Sequence, residues 1–280
     1  MPSWMQRSNE VLRSSVRRSQ MQALALAVLL GGAGGCATTA GQPTHRAEPQ
    51  TASSPASLIA LYNAAIVNSA VFRAEHQNSD LWPVTGSTQM GSLMSCECPG
   101  DNCSAYCGLQ SGQPAPTDIW VSPADQVLQF CQSFPSSLTA EQVILKLQQL
   151  QGLPPQTGQE PCTWQILQVT IDNPQVPEQF FRPCPDPDPT TTGPCPATFD
   201  PSDSQATVAF QAWMAGQAFS SWQIPGGYPW THLGYTYNWD PDASSIVGTS
   251  EYVIPRGTTV QVVDQVPAIE LCTNNRLKCS

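Results

Sequence analysis

The chain has 280 residues, with 21 acidic against 11 basic side chains and a formal net charge of −10. Such an acidic surface repels nucleic-acid phosphates, so a nucleic-acid partner is not expected. With 27 prolines, 19 glycines and 11 cysteines, the chain describes a loop-rich domain that depends on cross-links as well as on a core.

The first residues carry an address. Arg7, Arg13, Arg17 and Arg18 precede an apolar run, Ala23–Ala33, and two glycines before Cys36. A positive start, a short apolar stretch and small residues at a cut site define a secretory signal. The run has 11 residues, well below the about 20 a membrane-spanning helix needs. The segment "AGGC" resembles the lipobox of bacterial lipoproteins, with Ala33 where leucine is usual. That resemblance implies a signal peptide over 1–35 and acylation of Cys36, palmitate included. It also implies membrane attachment in the envelope of a Gram-negative-type bacterium. Ala37 is not the aspartate linked with inner-membrane retention, so the outer membrane, facing the periplasm or the surface, is implied. The alternative is an ordinary cleaved signal and a secreted protein in which Cys36 is a thiol. Residues 36–56 are small, polar and proline-bearing and read as a flexible tether, with a single domain over 57–280.

Structure is expected to begin at Ser54-Pro55, a cap followed by proline at the first helical position, with Leu58, Tyr62, Ala65, Ser69 and Phe72 on one face. Two further helices are predicted, one capped by Ser122 with Pro123 first, the other capped by Thr139 with Gln142 reaching back. Their short connector suggests an antiparallel helical hairpin. The segment 162–172 alternates with period two and reads as a strand, Leu167, Val169 and Ile171 sharing a face. A proline-rich loop follows, then a helix opening at Asp200-Pro201 whose Val208, Ala212, Ala215 and Phe219 form the core-facing stripe. Strands are expected from Trp222 onward, including "HLGYTYNW", "SEYVI", "TTVQVVDQV" and "AIELC", with a turn at Pro255–Gly257. The class is therefore a disulfide-rich α+β domain, helix-rich in its N-terminal half and rich in antiparallel strands in its C-terminal half.

Ten cysteines follow Cys36: Cys96, Cys98, Cys103, Cys107, Cys131, Cys162, Cys184, Cys195, Cys272 and Cys279. An even number in an exported chain reads as a disulfide framework. Pairing of neighbours would give two bridges within Cys96–Cys107, then Cys131–Cys162, Cys184–Cys195 and Cys272–Cys279. Four thiolates at Cys96, Cys98, Cys103 and Cys107 could instead hold zinc or cuprous copper, but their spacing fits no standard module and an oxidising compartment favours disulfides. The two Asp-Pro-Asp segments, Asp186–Asp188 and Asp240–Asp242, could offer oxygens to calcium, though they lack an EF-hand pattern and read as solvated turns. No metal and no cofactor is expected.

Catalytic patterns are sparse. The folded part has only His76 and His232, with no H-x-x-x-H pair and no G-x-S-x-G elbow. "SEYVIPRGTTVQVV", Ser250–Val263, resembles the strand–turn–strand of ADP-ribosyltransferases that carries their catalytic glutamate. The resemblance implies that Glu251 would stabilise positive charge on the ribose as nicotinamide leaves NAD. Thr249 stands where many members have a second acidic or amide residue, and no Ser-Thr-Ser strand lies upstream. An ordinary hairpin is the other reading.

Between Gly227 and Asp242 the chain is densely aromatic. Strand alternation puts Tyr235, Tyr237 and Trp239 on one face and Gly234, Thr236 and Asn238 on the other. The aromatic face is expected to be core, packed on Trp213 and Phe219, with a sugar-binding platform as the alternative. Trp222 and Trp230 are expected to be partly exposed, and Trp230, His232, Asn238, Asp240 and Asp242 are the candidate ligand contacts. The expected function is non-catalytic binding of a ligand or envelope partner; the alternative is an enzyme of NAD or glycans using Glu251 and His232.

Overall fold

The computed structural model describes residues 54–77, 81–84, 88–96, 104–156, 158–171, 178–191 and 193–279. Signal segment, Cys36 and tether up to residue 53 lie outside them, as do Cys98 and Cys103. The elements run α1 (Pro55–Ser69), β1 (Met90–Ser95), β2 (Ile119–Pro123), α2 (Ala124–Gln132), α3 (Ala140–Leu150), β3 (Trp164–Thr170), α4 (Val208–Ser221), β4 (Tyr235–Tyr237), β5 (Val247–Ser250), β6 (Tyr252–Ile254), β7 (Gln261–Pro267) and α5 (Ala268–Cys272). The class is α+β and disulfide-rich, with α1–α3 early and most strands late.

The main sheet is antiparallel, in the order β6-β2-β1-β3-β7; β4 and β5 form a separate pair. β3 shows why the sheet forms. Leu167, Val169 and Ile171 enter one core with Met90, Ile119, Val121, Tyr252 and Ile254. Trp164 and Ile166 point the other way, onto Val127, Val143, Ile144 and Leu147 of α2 and α3 and Ile269 of α5. Burial on both faces, at about 1.5–3 kcal/mol for each large apolar side chain, fixes the register, since a one-residue slip would exchange the two sets.

Helix starts follow local chemistry where it is present. Thr139 and Gln142 form the expected capping box, and Gly152 ends the helix at φ +65. Ser122 does not cap α2: it belongs to β2, and its hydroxyl meets Thr249 Oγ1 at 2.8 Å. Helices α2 and α3 meet on α5 and share its core. The segment "AIELC" is that helix and not a strand. Its burial of Ala268, Ile269 and Cys272 has helical spacing, which a short apolar run cannot distinguish from strand in sequence. The predicted helix at Asp200-Pro201 starts later, at Val208, because Asp200 closes an Asx turn onto the Ser202 N–H (2.8 Å) and Thr207 supplies the cap.

Four disulfides join described residues: Cys96–Cys107, Cys131–Cys272, Cys162–Cys279 and Cys184–Cys195. Cys184–Cys195 agrees with pairing of neighbours, and so does Cys96–Cys107 within its cluster. Cys131–Cys162 and Cys272–Cys279 are not formed. The strand β7 carries α5 back across α2, so Cys272 faces Cys131 and the C-terminal Cys279 reaches Cys162, over sequence separations of 141 and 117. Closing loops of that length constrains the unfolded chain by about 4–5 kcal/mol each in the loop-entropy picture.

The proline-rich loop has its own anchor. Arg182 is fully buried, pairs with Asp186 at 2.5 Å, and donates to the carbonyls of Asp186, Thr191 and Gly193. A guanidinium presents five donors, enough to hold together a segment whose prolines cannot form a ladder.

Candidate functional site

Two aromatic groups come out of the stretch 227–242. The first is structural. Tyr237 and Trp239 pack under α1 against Leu58, Tyr62, Ala65 and Ile66, while Tyr235 lies with Leu81, Leu233 and the Cys184–Cys195 bridge. All three are buried as expected, but their partners are not Trp213 and Phe219. Their polar atoms are used: Tyr235 Oη donates to the His76 carbonyl (2.6 Å) and Trp239 Nε1 to the Leu153 carbonyl (2.9 Å). The opposite face is also interior, because Thr236 is buried and donates to the Leu150 carbonyl at 2.7 Å.

The second group differs in kind. Glu251 sits between β5 and β6, and its N–H donates to the Gly234 carbonyl at 2.9 Å. Strand alternation sends Tyr252 and Ile254 into the main core and Glu251 to the other side, with Val253. There its Oε2 is sealed from solvent and meets no hydrogen-bond partner, although the residue as a whole is only half-buried. Burial pushes the carboxyl up to about 8, with the nearby Trp230 indole N–H opposing the shift. Trp230 is 5% exposed, against expectation, and its Nε1 has no partner at hydrogen-bond geometry either.

His232 completes the set. It adopts φ +49, an uncommon conformation for a residue other than glycine, and its Nε2 is also buried without a partner. Its ring lies 5.4 Å from Trp222, 6.0 Å from Trp230 and 6.4 Å from Phe72. Burial lowers its pKa, so the imidazole is neutral at pH 7. The aromatic wall continues through Trp230 to Trp120 (6.1 Å) and Trp213 (6.5 Å), which stack on each other. Trp222 is half-buried and donates its Nε1 to the Trp230 carbonyl at 2.9 Å.

The Trp230 indole therefore lies beside both the Glu251 carboxyl and the His232 ring, and Glu251 Oε2, Trp230 Nε1 and His232 Nε2 are buried with no partner at full hydrogen-bond geometry. Leaving such a group buried and unpaired costs about 1–3 kcal/mol. Three such atoms around Trp230 make this the candidate site. Trp222 is partly exposed as expected, and Phe72 was placed with Leu58 and Tyr62 on one helix face; that both reach His232, from the ends of different helices, is not visible in their spacing.

Other candidates fall elsewhere. Asp240 pairs with Lys146 at 2.5 Å, Asp242 lies 3.9 Å from the same ammonium, and Asn238 Oδ1 accepts the Asp240 N–H at 3.1 Å. These three build a turn against α3 and not the Glu251 site. Asp186 is taken by Arg182. Among the described residues no group of three or more His, Cys, Asp or Glu could hold a metal ion. A cavity of about 360 Å³ beside the Cys131–Cys272 bridge is lined by Phe134, Val143 and Arg276. It includes no carboxylate and shares no lining residue with the Glu251 group.

Strand, turn and strand follow Glu251 in the expected order, but the two strands do not pair. β6 and β7 are the two opposite edges of the main sheet, so the Pro255–Gly257 turn joins no hairpin. A carboxyl that is mostly protonated at pH 7 is also unsuited to stabilising a cationic ribose, which requires the anion. A glycosidase pair is no better served. Asp118 donates nothing nearby: it accepts from Trp213 Nε1 (3.0 Å) and lies four strand positions up the β2–β6 ladder from Glu251. At ~3.3 Å per residue that is about 13 Å, beyond the separations of paired glycosidase carboxyls. No family model matches the chain, and no characterised relative or solved structure does.

Proposed function

We propose that this is an exported, lipid-anchored cell-envelope protein that binds an uncharged carbohydrate at the Trp222–Trp230–His232–Glu251 site without turning it over. One observation carries the ligand class: the unpaired atoms of Glu251, His232 and Trp230 are uncharged and lie on an aromatic wall. A protonated acid donates and accepts, a neutral imidazole nitrogen accepts, and an indole donates, which suits hydroxyl groups. Flat rings cover the apolar face of a pyranose. A dinucleotide would bring phosphates to a site where the buried Arg182 is already committed to Asp186 and three carbonyls. Support for the anchor is the lipobox-like segment before Cys36.

Tryptophan fluorescence and calorimetry with neutral oligosaccharides test the reading. Saturable binding is expected, weakened about ten-fold or more by Trp222→Ala and by His232→Ala, consistent with losing about 1–2 kcal/mol of stacking or hydrogen bonding. Glu251→Gln keeps a donor and an acceptor and should bind within about three-fold of wild type. Wild-type turnover of NAD or of the saccharide, abolished by Glu251→Gln, would replace this reading with the enzymatic one.

A further inference from the structure

The helix α4 presents outward the stripe that its sequence marks for burial. Val208 is 83% and Phe219 76% exposed, and Ala212 and Ala215 between them are exposed too. The helix is held instead by Phe210, Trp213 and Met214. α1 behaves alike: beneath, it buries Leu58, Tyr62, Ala65 and Ile66, and outward it shows Ile59, Ala60, Ala64 and Val67. A helix apolar all round is normally covered on every side. Among the described residues, every exposed large apolar side chain except Val263 falls in residues 59–72 or 208–228.

The two segments approach each other at two places. Tyr62 Oη of α1 donates to the Gly227 carbonyl just past α4 (3.1 Å), and Phe72 and Trp222 both pack on His232. The two segments also carry no charge of their own: residues 55–72 and 204–239 contain no Asp, Glu, Lys or Arg, in a chain of net charge −10. Uncharged apolar patches of this extent mark contact with a partner or a membrane.

We infer that this face lies on the lipid bilayer to which the chain is anchored. The inference rests on acylation of Cys36 for its geometry. From Cys36 to Ser54 the chain advances 18 residues, which cannot reach beyond roughly 60–65 Å at ~3.3–3.6 Å per residue. The first folded element that this segment meets is α1 itself. Anchoring therefore holds the uncharged face at high effective concentration near lipid, and an acyl chain gains from a second weak membrane contact. The acidic remainder of the surface is repelled by anionic headgroups, which leaves this face as the one that approaches.

The test uses the full exported chain inserted into phosphatidylcholine vesicles whose acyl chains are brominated near the headgroup. Tryptophan fluorescence should be quenched in wild type relative to unbrominated vesicles. The double variant Val208→Asp/Phe219→Asp should lose that quenching while keeping its fold by circular dichroism, since both side chains are solvent-exposed. Absence of quenching in wild type, or quenching that survives the double variant, would overturn the inference. So would a dimer by light scattering that the double variant dissociates, which would assign the face to a second copy. Intact mass reads acylation separately: an unacylated chain removes the anchor, and quenching by added vesicles then still decides the docking.

Discussion

Within a dozen residues the chain builds two aromatic groups that look alike in sequence and differ in how their polar atoms are treated. Around Tyr235, Tyr237 and Trp239 each side-chain polar atom has a partner: Tyr235 Oη donates to the His76 carbonyl, Trp239 Nε1 donates to the Leu153 carbonyl, and Tyr237 Oη accepts from the Asn68 amide. Around Trp230, His232 and Glu251 three buried polar atoms have no partner at full hydrogen-bond geometry, although the Trp230 indole lies close enough to Glu251 to lower its pKa. The first arrangement is what a domain needs to stand up, because satisfied polar groups and filled volume both stabilise the fold. The second destabilises the empty protein. The difference teaches that aromatic density does not identify a site; unsatisfied hydrogen-bonding capacity beside the aromatics does.

The largest way to break the comparison is to remove a ring from the satisfied group. Trp239→Ala takes out a 4% exposed indole packed edge-on against Tyr62. It should cost about 3–5 kcal/mol of stability at all pH values, read as a shift of the urea midpoint. A comparable loss of saccharide affinity in the fraction that remains folded would mean that the two groups are one site.

The next effect depends on pH. The Glu251 carboxyl is raised in the folded protein from 4.5 to about 8, so the folded state holds a proton that the unfolded state releases. Stability from this group is present below pH 4.5 and is lost as pH rises toward about 8, because the unfolded chain binds fewer protons in that window. The total is on the order of 5 kcal/mol for a shift of this size. Glu251→Gln should flatten that fall and be more stable than wild type at pH 8. An identical pH profile in wild type and variant would show that the carboxyl is not buried as described.

Much of the fold was legible because it follows local rules. Thr139 and Gln142 announce a capping box, and the alternation of Leu167, Val169 and Ile171 announces a buried strand. What was not legible depends on distant parts of the chain. Cys131 finds Cys272 only because β7 crosses the sheet edge and α5 folds back, which no spacing encodes. The stripe on α4 has helical periodicity, yet periodicity reports that a face is apolar and not what covers it. Of the site, Glu251, His232 and Trp230 were visible as residue types. Their convergence was not, since it depends on the φ +49 turn at His232 and on Phe72 and Trp222 arriving from separate helices.

His232 supplies the smallest and most discriminating test. Burial depresses its pKa from 6.5, so below that value the unfolded chain takes up a proton that the folded chain refuses. Stability from this group is therefore present above pH 6.5 and lost as pH falls toward its folded value, the reverse of the Glu251 trend. His232→Gln keeps a neutral hydrogen-bonding side chain and should remove the acid-side loss. It leaves the alkaline slope from Glu251 in place. Saturating saccharide should steepen the acid-side loss in wild type, because a ligand hydroxyl bonded to the unprotonated Nε2 makes protonation harder still. Urea titrations at pH 5 and pH 7, with and without ligand, measure both. If ligand leaves the acid-side slope unchanged, Nε2 does not face the bound molecule and the unsatisfied nitrogen belongs to the scaffold.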